Sequence, residues 1–318
     1  MAFPSGSLGY WLRRRLGMSE VRREKFVLAM KRLNEILDAV IHHRMGGIGL
    51  GILSFFVTLA IIAPFLPIPA PQYSFTDGQG RYLATVDPSW EHPFGTDQNG
   101  RDILSRVIWG SRISLVVGLM ASVIAAVLGT LVGLISGYWG GWRDEVLMRV
   151  NDILLSLPWL ALLIVLAQIL GGTLSLNVII LTIGLTSWNF TARVVRAQVL
   201  SVRERVFVER AKASGASSLS ILRKHIFPNV FPLVFANTIL TVAVAILSES
   251  TLAFLGKVDI TNLSWGVVLE DAFGSSAAIN GHWAWIIMPG LALVFVILGF
   301  SLLGYALDEI LNPKLRER

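Results

Sequence analysis

The sequence predicts an all-α membrane protein that crosses the bilayer several times. Hydrophobic residues make up 54% of the 318 residues and charged residues only 15%, and the mean hydropathy is +0.65. A soluble core of this size would not need so much apolar surface. In addition, the chain contains six apolar stretches that approach the ~20 residues with which a helix spans a bilayer. They cover about residues 48–66, 113–138, 153–170, 174–200, 231–255 and 286–307.

The distribution of lysine and arginine predicts the orientation of these six spans. With the N-terminus inside, the inner segments hold 22 of the 27 lysines and arginines. Positive residues concentrate on the cytoplasmic side, so we expect both termini in the cytoplasm and the chain in the cytoplasmic (inner) cell membrane. Because the basic residues follow one membrane face, the net charge of +6 does not require a nucleic-acid partner.

Residues 1–46 precede the first span as a cytoplasmic N-terminal segment. Residues 1–18 are rich in Gly, Ser and Arg, and we expect them to be poorly ordered. From Ser19 onward an apolar stripe at helical spacing predicts an amphipathic helix. Its basic face favours binding to anionic membrane lipid, but a docking helix for a partner subunit remains open. The stripe consists of Phe26, Met30, Leu33, Leu37 and Val40.

Several kinds of chemistry are excluded by the residues that the sequence lacks. There is no cysteine, the five histidines form no metal-type pair at i, i+4, and no phosphate-binding GxxxxGK[ST] motif occurs. We therefore predict that this chain is not an enzyme, and that it has no catalytic residue, no metal site and no bound cofactor.

The segment after the first span is rich in proline and then polar. A more patterned stretch follows at residues 92–115, HPFGTDQNGRDILSRVIWGSRISL. It predicts a short helix from Arg101 to Trp109 with one apolar side and one polar side. We expect this helix to lie flat at the outer membrane interface.

Small residues at strict four-residue spacing occur along the second predicted span. Such a column lets another helix approach closely, which is how helices associate in lipid. We therefore predict a packing surface rather than a substrate groove. The column consists of Ala121, Ala125, Gly129, Gly133 and Gly137.

Four residues are candidates for a translocation pathway. Pro158 can kink the third span, and the kink either lines a pathway or is a structural bend. Glu249 lies within the fifth span, where an unpaired carboxylate costs roughly 2–4 kcal/mol. It therefore faces a cavity or makes a structural hydrogen bond to a neighbouring helix. Asn189 and Asn237 are further cavity candidates.

The 201–228 segment is a basic loop between two apolar spans, and it predicts two short helices. The first has helix-forming composition and ends at Gly215, which readily adopts the left-handed conformation that closes a helix. The second is capped by Ser217 and stopped by Pro228. Three of its residues share one face and predict an apolar ridge that a partner could bind: Leu219, Leu222 and Ile226.

This segment resembles the loop that inner-membrane permeases of ATP-binding cassette (ABC) importers insert into their ATPase subunits. The shared pattern has an acidic residue, small residues, a glycine six positions after the acid, and an Ile-x-Pro close. Arg210 departs from it, since a small residue is usual there. The matching positions are Glu209, Ala211, Gly215, Ile226 and Pro228.

Residues 92–106 are similar to the HP-x-GTD-x-x-GRD-x-LSR block of permeases in the dipeptide, oligopeptide and nickel importer family, C-type subunit. Residues 264–266, SWG, and the tail, LDEILNPKLRER, also resemble that family. The resemblance implies a type I ABC importer permease fold. It further implies a second homologous permease as heterodimer partner, two ATPase subunits that carry ATP and magnesium, and an extracytoplasmic binding protein.

By the same resemblance, alternating access would be driven through the 201–228 segment, and the solute would be a short peptide. Oligosaccharide is the main alternative, and nickel or another small solute is the third. A membrane enzyme would need a constellation of reactive side chains, and only Glu249 is present. A passive channel would not need a loop shaped for an ATPase. The residues expected to contact the ATPase are Glu209, Arg210, Ala211, Gly215, Ala216, Leu219, Leu222, Ile226 and Pro228.

Overall fold

The computed structural model describes residues 20–311, and this part of the chain is helical without a β-sheet. The predicted all-α fold class is thus confirmed. Residues 1–18, predicted to be poorly ordered, and the tail motif beyond Leu311 lie outside the described residues. The helices are α1 (Glu20–His42), α2 (Arg44–Ile62), α3 (Ile103–Trp139), α4 (Gly141–Ser156), α5 (Trp159–Ile169), α6 (Leu176–Thr186), α7 (Trp188–Arg203), α8 (Val206–Ala213), α9 (Ser218–Ile221), α10 (Phe227–Phe254), α11 (Trp265–Gly274) and α12 (Trp283–Leu311).

Five helical segments in the described residues are long and apolar enough to cross a membrane. The pair α4 and α5 passes the same test together but is bent by 90°, which gives up to six spans. The five segments are Arg44–Phe65, Ile103–Trp139, Leu176–Arg203, Ser218–Phe254 and Trp283–Leu311.

The third predicted span, residues 153–170, is broken at Pro158, where the sequence predicted a kink. The chain leaves the helical conformation at Leu157, whose ψ is 135°, directly before Pro158. Proline disfavours the helical conformation of the residue that precedes it and has no N–H to donate. The helix after the break, α5, has 11 residues and is therefore about 16 Å long, too short to cross a bilayer alone.

The flat interfacial helix predicted at Arg101 to Trp109 is wrong. Asp102 caps α3 by accepting a 2.8 Å hydrogen bond from the Ser105 N–H, and α3 then continues without interruption for 37 residues. Gly110 lies within this helix, and its missing side chain leaves the space that Trp265 occupies. Arg106 is buried rather than directed to the interface.

The column of small residues packs α3 against α7, which confirms the predicted packing surface. A Cβ on Gly133 would lie 2.7 Å from the Ala192 carbonyl oxygen, and one on Gly137 would lie 2.8 Å from the Val199 Cβ. Both distances are shorter than van der Waals contact, so only glycine allows this approach.

The polar segment between α2 and α3 contains the same turn twice, at residues 77–81 and 97–101. In each turn the aspartate accepts hydrogen bonds from the backbone N–H groups two and four residues later, and its carboxylate pairs with the arginine at the fifth position. Glycine at the fourth position has φ of 75° or 70°. The two copies differ in burial, since Asp97 is fully buried and Asp77 is about one-third exposed.

The buried copy of this turn is joined to α11 by charged side chains. Arg106 donates to Asp97 at 2.7 Å and to Asp271 at 2.5 Å. Arg101 bridges the same two carboxylates at 2.6 and 3.1 Å. Trp265 completes the junction, because its indole N–H donates to the Val107 carbonyl oxygen at 2.8 Å. These contacts fix the polar segment on the helices that surround it.

Candidate functional site

The 201–228 segment is held by a hydrophobic core of its own. Val208 from α8 and Ile221 from α9 are almost completely buried, and they pack with Val199 and Val202 near the end of α7. Val230, in the first turn of α10, belongs to the same core. The segment is therefore a compact body attached to two long helices rather than a free loop.

Gly215 closes α8 in the predicted left-handed conformation, with φ of 75°. Its N–H donates to the Lys212 carbonyl oxygen at 3.0 Å, and the next N–H donates to the Ala211 carbonyl oxygen at 3.1 Å. A Cβ on Gly215 would meet no atom within 4 Å. The backbone conformation alone therefore favours glycine here. Ser217 caps α9 by accepting from the Ser220 N–H at 3.4 Å, as predicted.

The predicted stop at Pro228 is wrong. After α9, a π-helical turn at Leu222–Ile226 leads directly into α10, and Pro228 lies in the first turn of α10. Proline has no N–H to donate, and the helix accommodates it directly after the irregular π-helical turn. The second short helix is therefore the beginning of a transmembrane helix, so a displacement of its tip can be passed along α10.

The predicted apolar ridge is wrong for two of its three members. Leu222 and Ile226 are buried in the core of the segment, whereas Leu219 is 72% exposed. Helical spacing identifies a shared apolar face but does not say which body the face contacts. The exposed apolar surface of the segment instead combines Leu219 with Val206 and Phe207 in the first turn of α8. The prediction missed Val206 and Phe207, although the run of three apolar residues that they form with Val208 could have indicated them.

The other predicted contact residues are mostly accessible. Ala211 and Ala216 are partly buried at the edge of the core. Four further residues are exposed: Glu209, Arg210, Gly215 and Pro228.

Two of the pathway candidates lie on one cleft of about 340 Å³. Asn189 from α7 and Asn237 from α10 line it, together with Leu157 and Trp159 on either side of Pro158. The structure thus brings the helix break and the two asparagines together. The remaining lining is mainly apolar and comes from α4, α6, α7 and α10.

The two asparagines differ in how their polar atoms are satisfied. Asn237 donates from Nδ2 to the Thr191 hydroxyl at 2.8 Å, a contact that joins α10 to α7. Asn189 is buried, and its Oδ1 has no hydrogen-bond partner in the described part of the chain. A buried acceptor without a partner is costly, so Asn189 is a strained point of the cleft wall.

Glu249 does not line this cleft. Its side chain is 0% exposed, and its Oε2 accepts from the Ser250 hydroxyl at 3.2 Å and from the Ser114 hydroxyl of α3 at 3.5 Å. Of the two possibilities left open by the sequence, this position matches a structural contact between neighbouring helices.

The segment and the cleft are connected through two helices. On α7, Asn189 lies in the first turn and Val202 near the end, about 20 Å apart at 1.5 Å per residue. On α10, Asn237 lies about 16 Å from Ile226 by the same rise. The close packing of α3 on α7 adds a third rigid helix. A force on the segment would therefore reach the cleft walls through packed helices.

With this geometry described, comparison with known proteins identifies the family. The profile of a family described as "Binding-protein-dependent transport system inner membrane component" matches residues 129–317. The chain belongs to this family. The identity predicted from the 201–228 segment and from residues 92–106 is thereby confirmed.

Individual relatives of this inner membrane component extend over most of the chain. It is 37% identical over 270 residues to a dipeptide transport system permease protein of Bacillus subtilis, which covers 84% of this chain and 81% of the relative. It is 38% identical over 275 residues to an oligopeptide transport system permease protein of Escherichia coli strain K12, covering 86% and 88%.

The fold is shared with a solved transporter. The chain resembles a subunit in an inward-facing structure of the MetNI methionine ABC transporter with a TM-score of 0.52 and 20% identity. The match covers 66% of this chain and 97% of that chain. The predicted permease fold is confirmed, and the chain is a multi-pass component of the membrane part of a transport system.

Proposed function

We propose that this chain is one of two permease subunits of an ATP-driven importer for short peptides. The observation that carries the proposal is the identity of 34–38% over most of the chain to relatives named as dipeptide and oligopeptide permeases. The peptide is delivered by an extracytoplasmic binding protein. The partners in the membrane complex are a second, homologous permease and two ABC ATPase subunits.

In this proposal the chain itself binds no cofactor, because ATP and magnesium are held by the ATPase subunits. Both termini of the chain lie in the cytoplasm, as does the 201–228 segment. Its exposed apolar side chains, Leu219, Val206 and Phe207, contact an ATPase subunit. Exposed apolar side chains among charged ones have the composition of a protein interface.

Closure of the ATPase dimer moves the 201–228 segment, and α7 and α10 carry this movement to the cleft. The peptide crosses between the two permeases along the cleft walls, which Asn189 and Asn237 line. Coupling of this kind requires that the segment contact the ATPase differently in its two states.

The substrate is tested with the complex purified in mild detergent from its native membrane. ATPase turnover is measured with binding protein loaded with a dipeptide or a longer peptide, with oligosaccharide, or with nickel. We expect stimulation by a peptide-loaded protein. Stimulation by one of the other two solutes alone would replace peptide by that solute class, and recovery of the chain without ATPase subunits would refute the importer assignment.

The contact with the ATPase is tested by Leu219→Asp. We expect this variant to insert normally but to lose copurifying ATPase subunits, because a carboxylate would be desolvated in the interface. Ile279→Asp is the matched control, since Ile279 is 87% exposed and lies in the connection between α11 and α12. Gly215→Pro should abolish ATP-driven uptake with normal insertion, because proline cannot adopt a φ of 75°. Undiminished ATPase recovery with Leu219→Asp would refute this contact.

A further inference from the structure

A long apolar groove runs between α3 and α10, and it shares no lining residue with the cleft described above. We call it the α3–α10 groove. It extends from Leu119 to Trp139 on α3 and from Val242 to Phe227 on α10, with a volume of about 920 Å³. Leu219 and Arg223 of the 201–228 segment line the end nearest that segment.

The walls of the groove are accessible from outside the helix bundle. Val127 on α3 is 54% exposed, and Phe231 on α10 is about half exposed. Phe231 lies between two further aromatic rings on the same wall, with ring centroids 5.7 Å from Phe227 and 6.3 Å from Phe235. No described part of the chain covers these exposed side chains, and the row of rings forms one continuous apolar wall.

The length and lining of the groove fit an extended hydrocarbon chain. The 20-residue rise from Leu119 to Trp139 corresponds to a length of about 30 Å. The side chains along this length are almost all apolar, so an acyl chain lying in the groove would leave no polar group without a partner. The groove therefore accepts extended hydrocarbon chains.

The end of the groove near the 201–228 segment carries positive charge. Arg223 is exposed, and its guanidinium makes no hydrogen bond or ion pair within residues 20–311. Arg143 lies 5.6 Å from the ring centroid of Trp139, which lines the same end. Guanidinium groups bind phosphate with paired hydrogen bonds, and tryptophan is enriched at the level of lipid headgroups.

We propose that the α3–α10 groove binds an anionic phospholipid. The phosphate is held by Arg223 with Arg143 nearby, and the acyl chains lie against the phenylalanine row in the half of the groove nearest Arg223. This lipid contacts α3, α10 and Arg223 together, so its occupancy stabilises the position of the 201–228 segment relative to the bundle. The binding itself does not depend on the peptide or on the ATPase contact.

The charge requirement is tested by native mass spectrometry of the purified complex, incubated with phosphatidylglycerol or with phosphatidylcholine. We expect the unchanged protein to retain phosphatidylglycerol preferentially, and Arg223→Gln to retain roughly tenfold less, as expected for losing one charge-assisted hydrogen bond. Lys224→Gln is the matched control, because Lys224 is an exposed neighbour of the same charge that does not line the groove. Equal retention by the two variants, or no preference for phosphatidylglycerol, would overturn the proposal.

The identity of the occupant is tested by a photoreactive amino acid at position 127, illuminated in native membranes. We expect adducts with phospholipid that are richer in anionic headgroups than those formed from position 294, because Val294 is similarly exposed on α12 but lies outside the groove. An adduct with a polypeptide at position 127 would show that another subunit covers the groove and would refute the lipid. Neither result depends on transport, so a failure here is distinct from a failure of the importer assignment.

Discussion

Asp97 is the position where one substitution should have the largest structural effect. Its carboxylate accepts from the backbone N–H groups of Asn99 and Arg101 at 2.8 and 2.9 Å, and it pairs with the side chains of Arg101 and Arg106. Asp97→Ala removes these acceptors in one step. Arg106, which is almost completely buried, then keeps only Asp271 as a charged partner at hydrogen-bond distance within the described residues.

The expected loss of stability is the cost of removing one partner from a buried ion pair, here Asp97 from Arg106, which is about 3–5 kcal/mol. For a chain of this size each kcal/mol lowers the unfolding temperature by a few degrees, so we expect a decrease on the order of 10 °C. The second copy of the turn provides the control. Asp77→Ala removes an equivalent set of turn hydrogen bonds and an arginine pair, but Asp77 is partly exposed and has no contact with Arg106.

The assay is the temperature at which a fluorescent fusion of each variant, solubilised in detergent, loses half of its monodisperse chromatographic peak. Asp97→Ala should lose the peak well below both Asp77→Ala and the unchanged protein. Asp97→Ala with Arg106→Met should recover part of the loss, because the double variant no longer buries a guanidinium that has lost one of its two carboxylate partners. Equal unfolding temperatures for Asp97→Ala and Asp77→Ala would refute the argument that burial of the charge determines the cost.

Two further predictions concern packing and ionisation. Gly133→Ala should lower the unfolding temperature, since its Cβ would lie 2.7 Å from the Ala192 carbonyl oxygen and overpacking costs about 1–3 kcal/mol. Gly51→Ala is the control on open helix surface, and it should leave the unfolding temperature unchanged or raise it. Equal effects of the two substitutions would contradict the close approach of α3 and α7. Burial, followed by the charge of Asp271, raises the pKa of Glu270. The folded state therefore binds the proton more tightly, and stability is gained as the pH falls through the pKa of Glu270. Glu270→Gln should accordingly raise the unfolding temperature at pH 8 and have a smaller effect at pH 5; a difference independent of pH would exclude this origin.

The features that the sequence could predict are those carried by short-range patterns. Apolar length indicated the spans, four-residue spacing of small residues indicated the packing surface on α3, and Gly215 indicated the end of α8. Each depends on a residue property that acts within a few positions of the chain, such as the width of a side chain or the conformations open to glycine. The family could be inferred for a similar reason, since its loop and its 92–106 block are continuous in sequence.

The errors have a common physical cause, namely that each required knowledge of a distant partner. Arg106 looked like the polar side of an interfacial helix because Asp271, its buried partner, is 165 residues away. Leu222 and Ile226 were predicted to form a free ridge, because the helical pattern does not show that side chains of α7 and α10 pack against them. The cleft depended on α7 and α10 meeting at Asn237 and Thr191.

The sequence by itself therefore determined the membrane class, the family, and the helix ends at Gly215 and Ser217, because these follow from composition, spacing and backbone preferences. Only the tertiary structure decided which apolar faces are covered and which charges are buried. It also decided that Glu249 is enclosed between helices while Asn189 and Asn237 share a cleft. Burial depends on all of the packed helices together, so the same side chains at the same spacing can be either buried or exposed.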